Sequence, residues 1–323
     1  MKRKQHDTFA RSFMKLICLL LALILVFLLG ATALFQQILG KIHYTQPTAD
    51  FGTRLTSFLT NLASDGFGKQ SDLIGGTGSG IVNILLIGQD RREGEETARS
   101  DSMILCTYHR KSGNLTMTSF LRDLYVPIPG HHNNRINAAY SEGGVELLND
   151  TLKSNFDLHI DGNIEVDFSQ FSQIIDLLGG VQLELREDEA AEINKETDSS
   201  LSAGVQILNG EQALTYARIR KLDADGDFSR TNRQRKVMNA LLGSYRNIKW
   251  KDLLPLISTD LNYGKLVLLA MEILPRISDA QITNQRIPAD GTYTDERIDG
   301  MAVLSADLDA NRRILRETLL NES

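Results

Sequence analysis

Twenty consecutive uncharged residues, Leu16 to Phe35, constrain this 323-residue chain more than any other feature. At about 1.5 Å of rise per residue, that is the length a helix needs to span the hydrocarbon of a bilayer. Upstream lie Lys2, Arg3, Lys4, Arg11 and Lys15 against a single Asp7, and such basic flanks stay in the cytoplasm. The expected order is therefore a cytoplasmic tail over residues 1–15, a transmembrane helix over 16–35, and the rest of the chain outside the membrane. A cleaved signal peptide shares the basic start, but its apolar core is usually about 7–15 residues and ends at a small-residue cleavage site. Here Leu34-Phe35 carries the run past Gly30-Ala31-Thr32-Ala33, so the anchor is favoured. Cys18 lies in this run and Cys106 in another apolar one, so no disulfide is expected, which suits a bacterial envelope.

Of 35 basic and 41 acidic residues, five and one precede Phe35, leaving 30 against 40, a net charge of about -10 beyond the anchor. That balance argues against a nucleic-acid partner. Hydrophobic residues at 42% and charged ones at 24% exclude a disordered or collagen-like chain. Residues 36–80 read as an extracellular stalk ending in the glycine cluster Gly75 to Gly80. No Gly-Lys-Ser/Thr follows, and the cluster precedes a strand instead of leaving one, so it reads as a linker and not a phosphate loop.

From residue 81 the pattern is that of a packed domain. Ile81 to Ile87, Ser102 to Tyr108 and Leu115 to Phe120 are short apolar or alternating runs bounded by polar turns, hence strands. If they form a meander, the first ends where the second begins and the third returns to the same edge. Asp90, Arg99, Asp101, Arg122 and Asp123 then gather on one rim of the sheet, two guanidiniums among three carboxylates. A helix is expected to open at Gly143-Gly144. Another covers Phe168 to Leu178, with an apolar stripe at Phe168, Phe171, Ile174, Ile175 and Leu178, and stops at Gly179-Gly180. Such a stripe is more often core than a ligand channel. Arg186 to Ser202, rich in Glu and Asp, reads as a solvent-exposed excursion.

Asn209 followed by Gln212 has the spacing of a helix cap, and the helix should run toward Arg218-Ile219-Arg220. In extended chain, Arg218 and Arg220 share a face with Ile219 opposite. A further helix carries Arg230, Arg233 and Gln234 at i, i+3 and i+4, on one side of its first turn. Arginines at a helix N-terminus oppose the macrodipole unless an anion is present, and guanidinium forks suit phosphate oxygens. The competing reading is an ion-pair network with Asp223, Asp225 and Asp227.

These residues resemble a known family. Asn83 to Asp90 (NILLIGQD), Arg99 to Met103 (RSDSM), Ser119 to Asp123 (SFLRD), Ile136 to Tyr140 (INAAY), Leu178 to Val181 (LGGV), Tyr216 to Arg220 (YARIR) and Gly226 to Gln234 (GDFSRTNRQ) occur in order, and Ile287 to Tyr293 (IPADGTY) matches the tail. Together they resemble the LytR-CpsA-Psr family of bacterial envelope proteins. Leu121 departs from the pattern, which usually has proline there.

The resemblance implies an α/β domain over residues 81–318, a central mixed sheet flanked by helices, following the single transmembrane helix. It implies a phosphotransferase at the membrane of a Gram-positive bacterium. Such an enzyme moves a glycopolymer (wall teichoic acid, capsule or a related polysaccharide) from polyprenyl pyrophosphate to peptidoglycan, releasing polyprenyl phosphate. Carried over, Asp90 and Asp101 are the ligands of magnesium, or of manganese in its place, and Arg99, Arg122, Arg218, Arg220, Arg230 and Gln234 contact the pyrophosphate. Arg122, Asp123 and Asp227 are the catalytic candidates. Either aspartate is a candidate base for the acceptor hydroxyl; the alternative for Asp123 is a salt bridge that orients Arg122. The chemistry agrees, since phosphoryl transfer needs alignment and charge neutralisation more than a covalent intermediate. Rival readings are a pyrophosphatase on the same lipid-linked substrate, a non-catalytic glycopolymer-binding protein, and a membrane-bound transcriptional attenuator. A fifteen-residue tail is too short for a DNA-reading module, which needs roughly 40 residues to fold unaided. The six histidines lack zinc spacing and no Gly-x-Ser-x-Gly elbow occurs.

Overall fold

The computed structural model describes residues 43–44, 80–90, 99–223, 227–243, 250–273, 275–277 and 279–321. The expected tail, membrane helix and most of the stalk lie outside the described residues. Among the described residues, no helix is long and apolar enough to cross a membrane.

Two residues of the segment read as stalk form a short strand, β1 (His43–Tyr44). The three expected strands follow as β2 (Ile81–Asp90), β3 (Arg99–His109) and β4 (Leu115–Phe120), paired antiparallel in a meander. The small ribbon β5 (Tyr125–Val126) and β6 (Asn134–Arg135) leads into α1 (Ile136–Phe156). The helix expected to open at Gly143-Gly144 therefore begins a full two turns earlier and is kinked at those glycines, where Gly144 adopts φ +65°. Then come β7 (Gly162–Asp167), α2 (Phe168–Leu177), β8 (Val181–Leu185), α3 (Glu187–Thr197), β9 (Gly204–Leu208) and α4 (Gly210–Arg218). Next are α5 (Asp227–Gly243), β10 (Ser258–Thr259), α6 (Tyr263–Ile273) and β11 (Ile282–Ile287). The hairpin β12 (Tyr293–Ile298) and β13 (Met301–Ala306) precedes α7 (Leu308–Asn321).

Seven strands form one mixed sheet in the order β1-β10-β7-β2-β3-β4-β11. β7 adds parallel to β2, and β11 adds parallel to β4. Because successive side chains in a strand point to opposite faces, Leu85, Ile87, Met103, Leu105 and Phe120 pack on one face against Leu148, Leu152 and Phe156 of α1 and Leu315 and Leu319 of α7. On the other face Val82, Tyr108 and Leu115 meet Leu269 of α6. A third apolar cluster links α2, the β8–β9 hairpin, α3, α4 and α5 through Ile175, Leu183, Ile193, Tyr216 and Val237. The acidic stretch read as an exposed excursion thus folds into α3, with Glu189, Ala190 and Ile193 buried. The polar composition masked a one-sided helix.

α2 and α4 lie close enough that only glycine fits at Gly210. A Cβ there would stand 2.1 Å from the Ser172 carbonyl oxygen, a backbone atom that cannot swing aside. The Gly210 N–H also donates to Asp176 Oδ1 at 2.7 Å. Gly210→Ala is expected to lower unfolding stability by about 1–3 kcal/mol through overpacking. Urea unfolding of the variant checks this, and an unchanged midpoint would contradict the close approach.

Candidate active site

The rim expected from the meander exists, and a β-bulge builds it. Gly88 pairs with Ser102 and Gln89 with Ser100, so Asp101 has no partner on β2. An extra residue of this kind bends the strand and re-aims a side chain. At the same edge the last residue of β2, Asp90, pairs with the first of β3, Arg99. The side chains of Asp90, Arg99 and Asp227 lie outside the described set.

Asp101 is the hub. Its Oδ1 accepts a hydrogen bond from Arg122 Nη1 at 3.0 Å. Its Oδ2 faces Arg220 Nη2 at 3.4 Å and Arg230 Nη1 at 3.9 Å, and its carbonyl oxygen accepts from Arg230 Nη2 at 3.2 Å. Arg230 is buried, whereas Arg220 is exposed, as is Arg218, with Ile219 buried between them. The chain is not extended at Arg218, which is the last residue of α4, yet the exposure alternates across Arg218-Ile219-Arg220. Asp123 is held on both oxygens, by Arg122 Nε at 3.5 Å and by Arg135 Nη1 at 3.1 Å. Among these described side chains, Arg122, Arg135, Arg218, Arg220 and Arg230 outnumber Asp101 and Asp123, so the rim is positive even with its ion pairs formed.

Tertiary contacts fix the loop carrying Arg122 and Asp123. Leu304 N–H donates to the Asp123 carbonyl at 2.9 Å, and Asn137 N–H to the Arg122 carbonyl at 3.4 Å. At the position where the family pattern has proline, the Leu121 N–H donates to the Ile287 carbonyl at 2.8 Å. Proline has no N–H to make that bond, so leucine replaces a ring constraint with a hydrogen bond to β11.

Beside this cluster lies an apolar cavity of about 210 Å³. Its floor is the sheet face at Leu86, Ile104, Ile164 and Val166, and its walls come from Phe168, Phe171 and Ile174 of α2 and Met238 and Leu241 of α5. The α2 stripe therefore divides: Ile175 enters the core, while Phe168, Phe171 and Ile174 line the cavity. Its polar residues include Arg218 and Gln234, which join it to the rim. The Arg218 guanidinium stands 4.7 Å from the centroid of the Phe168 ring, a cation–π distance. Gln234 Oε1 accepts from Ser102 Oγ at 3.1 Å.

Arg233 does not join its helical neighbours at the rim. It is buried and turns to α3, where its Nε donates to Glu189 Oε1 at 2.8 Å and its Nη2 pairs with Asp223. Asp223 also accepts from Arg186, and that bond, ahead of Arg233, holds its carboxyl below the usual range. The ion-pair network weighed against anion binding is thus real for Arg233 and Asp223, but Arg230 and Gln234 stand apart from it. Arg135, the second partner of Asp123, had no signal in the sequence beyond adjacency to the Ile136–Tyr140 motif.

The fold and this rim define a class: an α/β domain presenting a guanidinium cluster at the mouth of an apolar cavity. A model of the LytR_cpsA_psr family matches residues 60–318, and the chain belongs to that family. A Bacillus subtilis (strain 168) relative, "Polyisoprenyl-teichoic acid--peptidoglycan teichoic acid transferase TagT", is 36% identical over 53% of this chain and 55% of its own. The Staphylococcus aureus (strain COL) "Regulatory protein MsrR" is 38% identical over 50% of this chain and 48% of its own. The chain spans about half the length of these curated relatives. A solved structure described as "LytR-CPS2A-psr family protein YwtF (TagT) with bound octaprenyl pyrophosphate lipid" superposes with a TM-score of 0.60 at 26% identity, over 76% of this chain and 91% of that one.

Proposed function

We propose that this protein transfers a glycopolymer from a polyprenyl diphosphate carrier to a hydroxyl of peptidoglycan. The observation that carries the reading is the direct junction of the Asp101-centred guanidinium cluster with the apolar cavity. A prenyl diphosphate has the same two halves, one anionic and one apolar, joined at one point. The bound lipid of the YwtF (TagT) structure supports that match. The first apolar run, residues 16–35, anchors the domain with the site outside the cytoplasm, where both substrates are found.

The acceptor hydroxyl oxygen attacks the phosphorus joined to the glycan, a new P–O bond forms, and the bridging P–O bond breaks. Polyprenyl phosphate departs with the electron pair, and the acceptor proton passes to a base. Arg122, Arg220 and Arg230, with Arg99 and Arg218, bind the diphosphate oxygens and stabilise the charge that grows on the leaving phosphate. Gln234 donates from its amide. Asp123, occupied on both oxygens, orients Arg122, and Asp227, three residues before Arg230 at the start of α5, takes the proton.

Magnesium fits this donor set. Among the described residues no group of three or more His, Cys, Asp or Glu could hold a metal, so protein ligands alone do not complete a shell. Magnesium prefers one or two carboxylates with phosphate oxygens and water. Asp101 supplies one, its Oδ2 only loosely engaged at 3.4 and 3.9 Å, and Asp90 at the facing strand end supplies the other. When bound, the ion neutralises diphosphate charge; manganese has the same ligand preference.

The test gives full-length protein a polyprenyl-diphosphate glycan and peptidoglycan, with and without a chelator. The expected result is glycan covalently joined to wall material, lost with the chelator and restored by magnesium or manganese. Free phosphorylated glycan as the only product would make the protein a hydrolase instead. Retention without turnover would make it a binding protein.

A further inference from the structure

α5 presents a second basic face that the diphosphate chemistry does not use. Arg235 leaves the helix toward β4 and β11, where its Nη1 donates to Ser119 Oγ at 3.1 Å and the Gln285 carbonyl at 3.4 Å. It is 8% exposed, and its Nε is buried without an acceptor among the described residues. No described carboxylate lies within ion-pair distance of it. Burial, and then the charge of Arg286, draws its pKa below the usual arginine value. The Nε of Arg286 is likewise buried without an acceptor among the described residues, while its Nη2 pairs with Asp290, an exposed residue. The Arg286 guanidinium stands 4.5 Å from the centroid of the Phe228 ring, and that ring meets Tyr293 at 5.2 Å between centroids. Two neighbouring guanidiniums thus have one described carboxylate between them, the exposed Asp290 on Arg286, beside an aromatic pair. A buried charge lacking a full counter-ion is costly, and an oxyanion arriving from solution offsets that cost.

The position of this cluster relative to the cavity bears on what it could bind. The cavity covers β7, β2 and β3 and meets α5 at Gln234, Met238 and Leu241. Arg235 and Arg286 lie over β4 and β11, the other end of the same face. α5 stands between the two. In phosphoryl transfer the attacking and leaving oxygens are roughly in line through phosphorus. With the lipid phosphate leaving on the cavity side, an acceptor is sought away from the cavity, and Phe228, on the first turn of α5 two residues before Arg230, brings this cluster near the rim.

We propose that Arg235 and Arg286, with the rings of Phe228 and Tyr293, form the acceptor subsite and bind a glycan through its carboxylate. The inference rests on the transfer reading above. Guanidinium forks suit a carboxylate, and the Phe228–Tyr293 pair, its rings tilted by 33° to each other, supplies aromatic contact for the sugar. The subsite also gives a use to Tyr293 of the Ile287–Tyr293 motif, whose first residue already holds the Arg122 loop through its carbonyl.

Titration calorimetry of the full-length protein with a soluble, uncrosslinked peptidoglycan fragment bearing free carboxylates tests this with no lipid donor present. A defect in transfer therefore cannot imitate the result. The wild type should bind the fragment, and Arg286→Gln should weaken binding by about tenfold, the scale of one charge-assisted hydrogen bond. A fragment with amidated carboxylates should bind wild type as weakly as the variant binds the free acid. Asp290→Asn, at an exposed position that cannot unfold the core, should strengthen binding by removing the competing carboxylate. Fragment binding absent from the wild type, or unchanged in both variants, overturns the proposal. So does a loss confined to poly(glycerol phosphate), which would assign the face to the donor polymer.

Discussion

Arg122→Lys is expected to slow glycopolymer transfer by about a thousandfold, within the range of single arginines in phosphoryl transfer. The positive charge survives the change, so the effect must come from shape. Arg122 reaches Asp101 Oδ1 with one guanidinium nitrogen and Asp123 Oδ2 with another, at 3.0 and 3.5 Å. A planar fork can hold both carboxylates while presenting its remaining N–H groups to a phosphate; a lysine ammonium is a point charge on a flexible stem and cannot. The side chain is 20% exposed and belongs to no apolar cluster, so thermal stability should change little. Single-turnover rates at saturating donor, with donor affinity measured separately, provide the check. A rate within tenfold of wild type would show that Arg122 supplies charge alone.

The largest effect on stability is expected far from the chemistry, at Glu189. Its Oε1 accepts from Arg233 Nε at 2.8 Å, both side chains being 3% exposed, and its Oε2 caps α3 by accepting the Arg186 N–H at 3.0 Å. Glu189→Leu leaves a buried guanidinium with only Asp223 and the Ile219 carbonyl for partners. Removing one member of a buried pair costs about 3–5 kcal/mol, a large part of the roughly 5–15 kcal/mol that holds a domain together. Replacing both partners, as Glu189→Leu with Arg233→Met, should recover most of the loss, because no charge is then stranded. Chemical denaturation of the two single variants and the double variant measures the coupling. A single-variant loss below about 1 kcal/mol would mean that water already reaches the pair.

The meander and its rim were legible in the sequence because they are local. Short apolar runs bounded by polar turns give β2, β3 and β4, and their connectivity alone brings Asp101 to Arg122. The start of α4 was legible for the same reason: Asn209 and Gln212 form the reciprocal cap expected of their spacing, at 2.9 and 3.0 Å. What was hidden depends on partners distant in the chain. Helical spacing places Arg230, Arg233 and Gln234 on one arc, but an arc has two flanks, and only the packing of α3 against α5 sends Arg233 to Glu189. The α2 stripe could not announce a cavity, because a wall and a core both need apolar residues at the same period. α3 was missed because its most buried charged residue, Glu189, is neutralised by a residue 44 positions away.

The loop bearing Arg122 and Asp123 is tied to residues distant in sequence: Leu121 to Ile287, and Asp123 to Leu304. β11 then closes the sheet edge alongside β4. The charged groups are thus locked by residues more than 160 positions further along the sequence. The rim therefore depends on contacts of long sequence separation, whose loop-closure entropy must be met before Arg122 and Asp123 are held, and damage to β11 or to the β12–β13 hairpin would be felt at the charged groups.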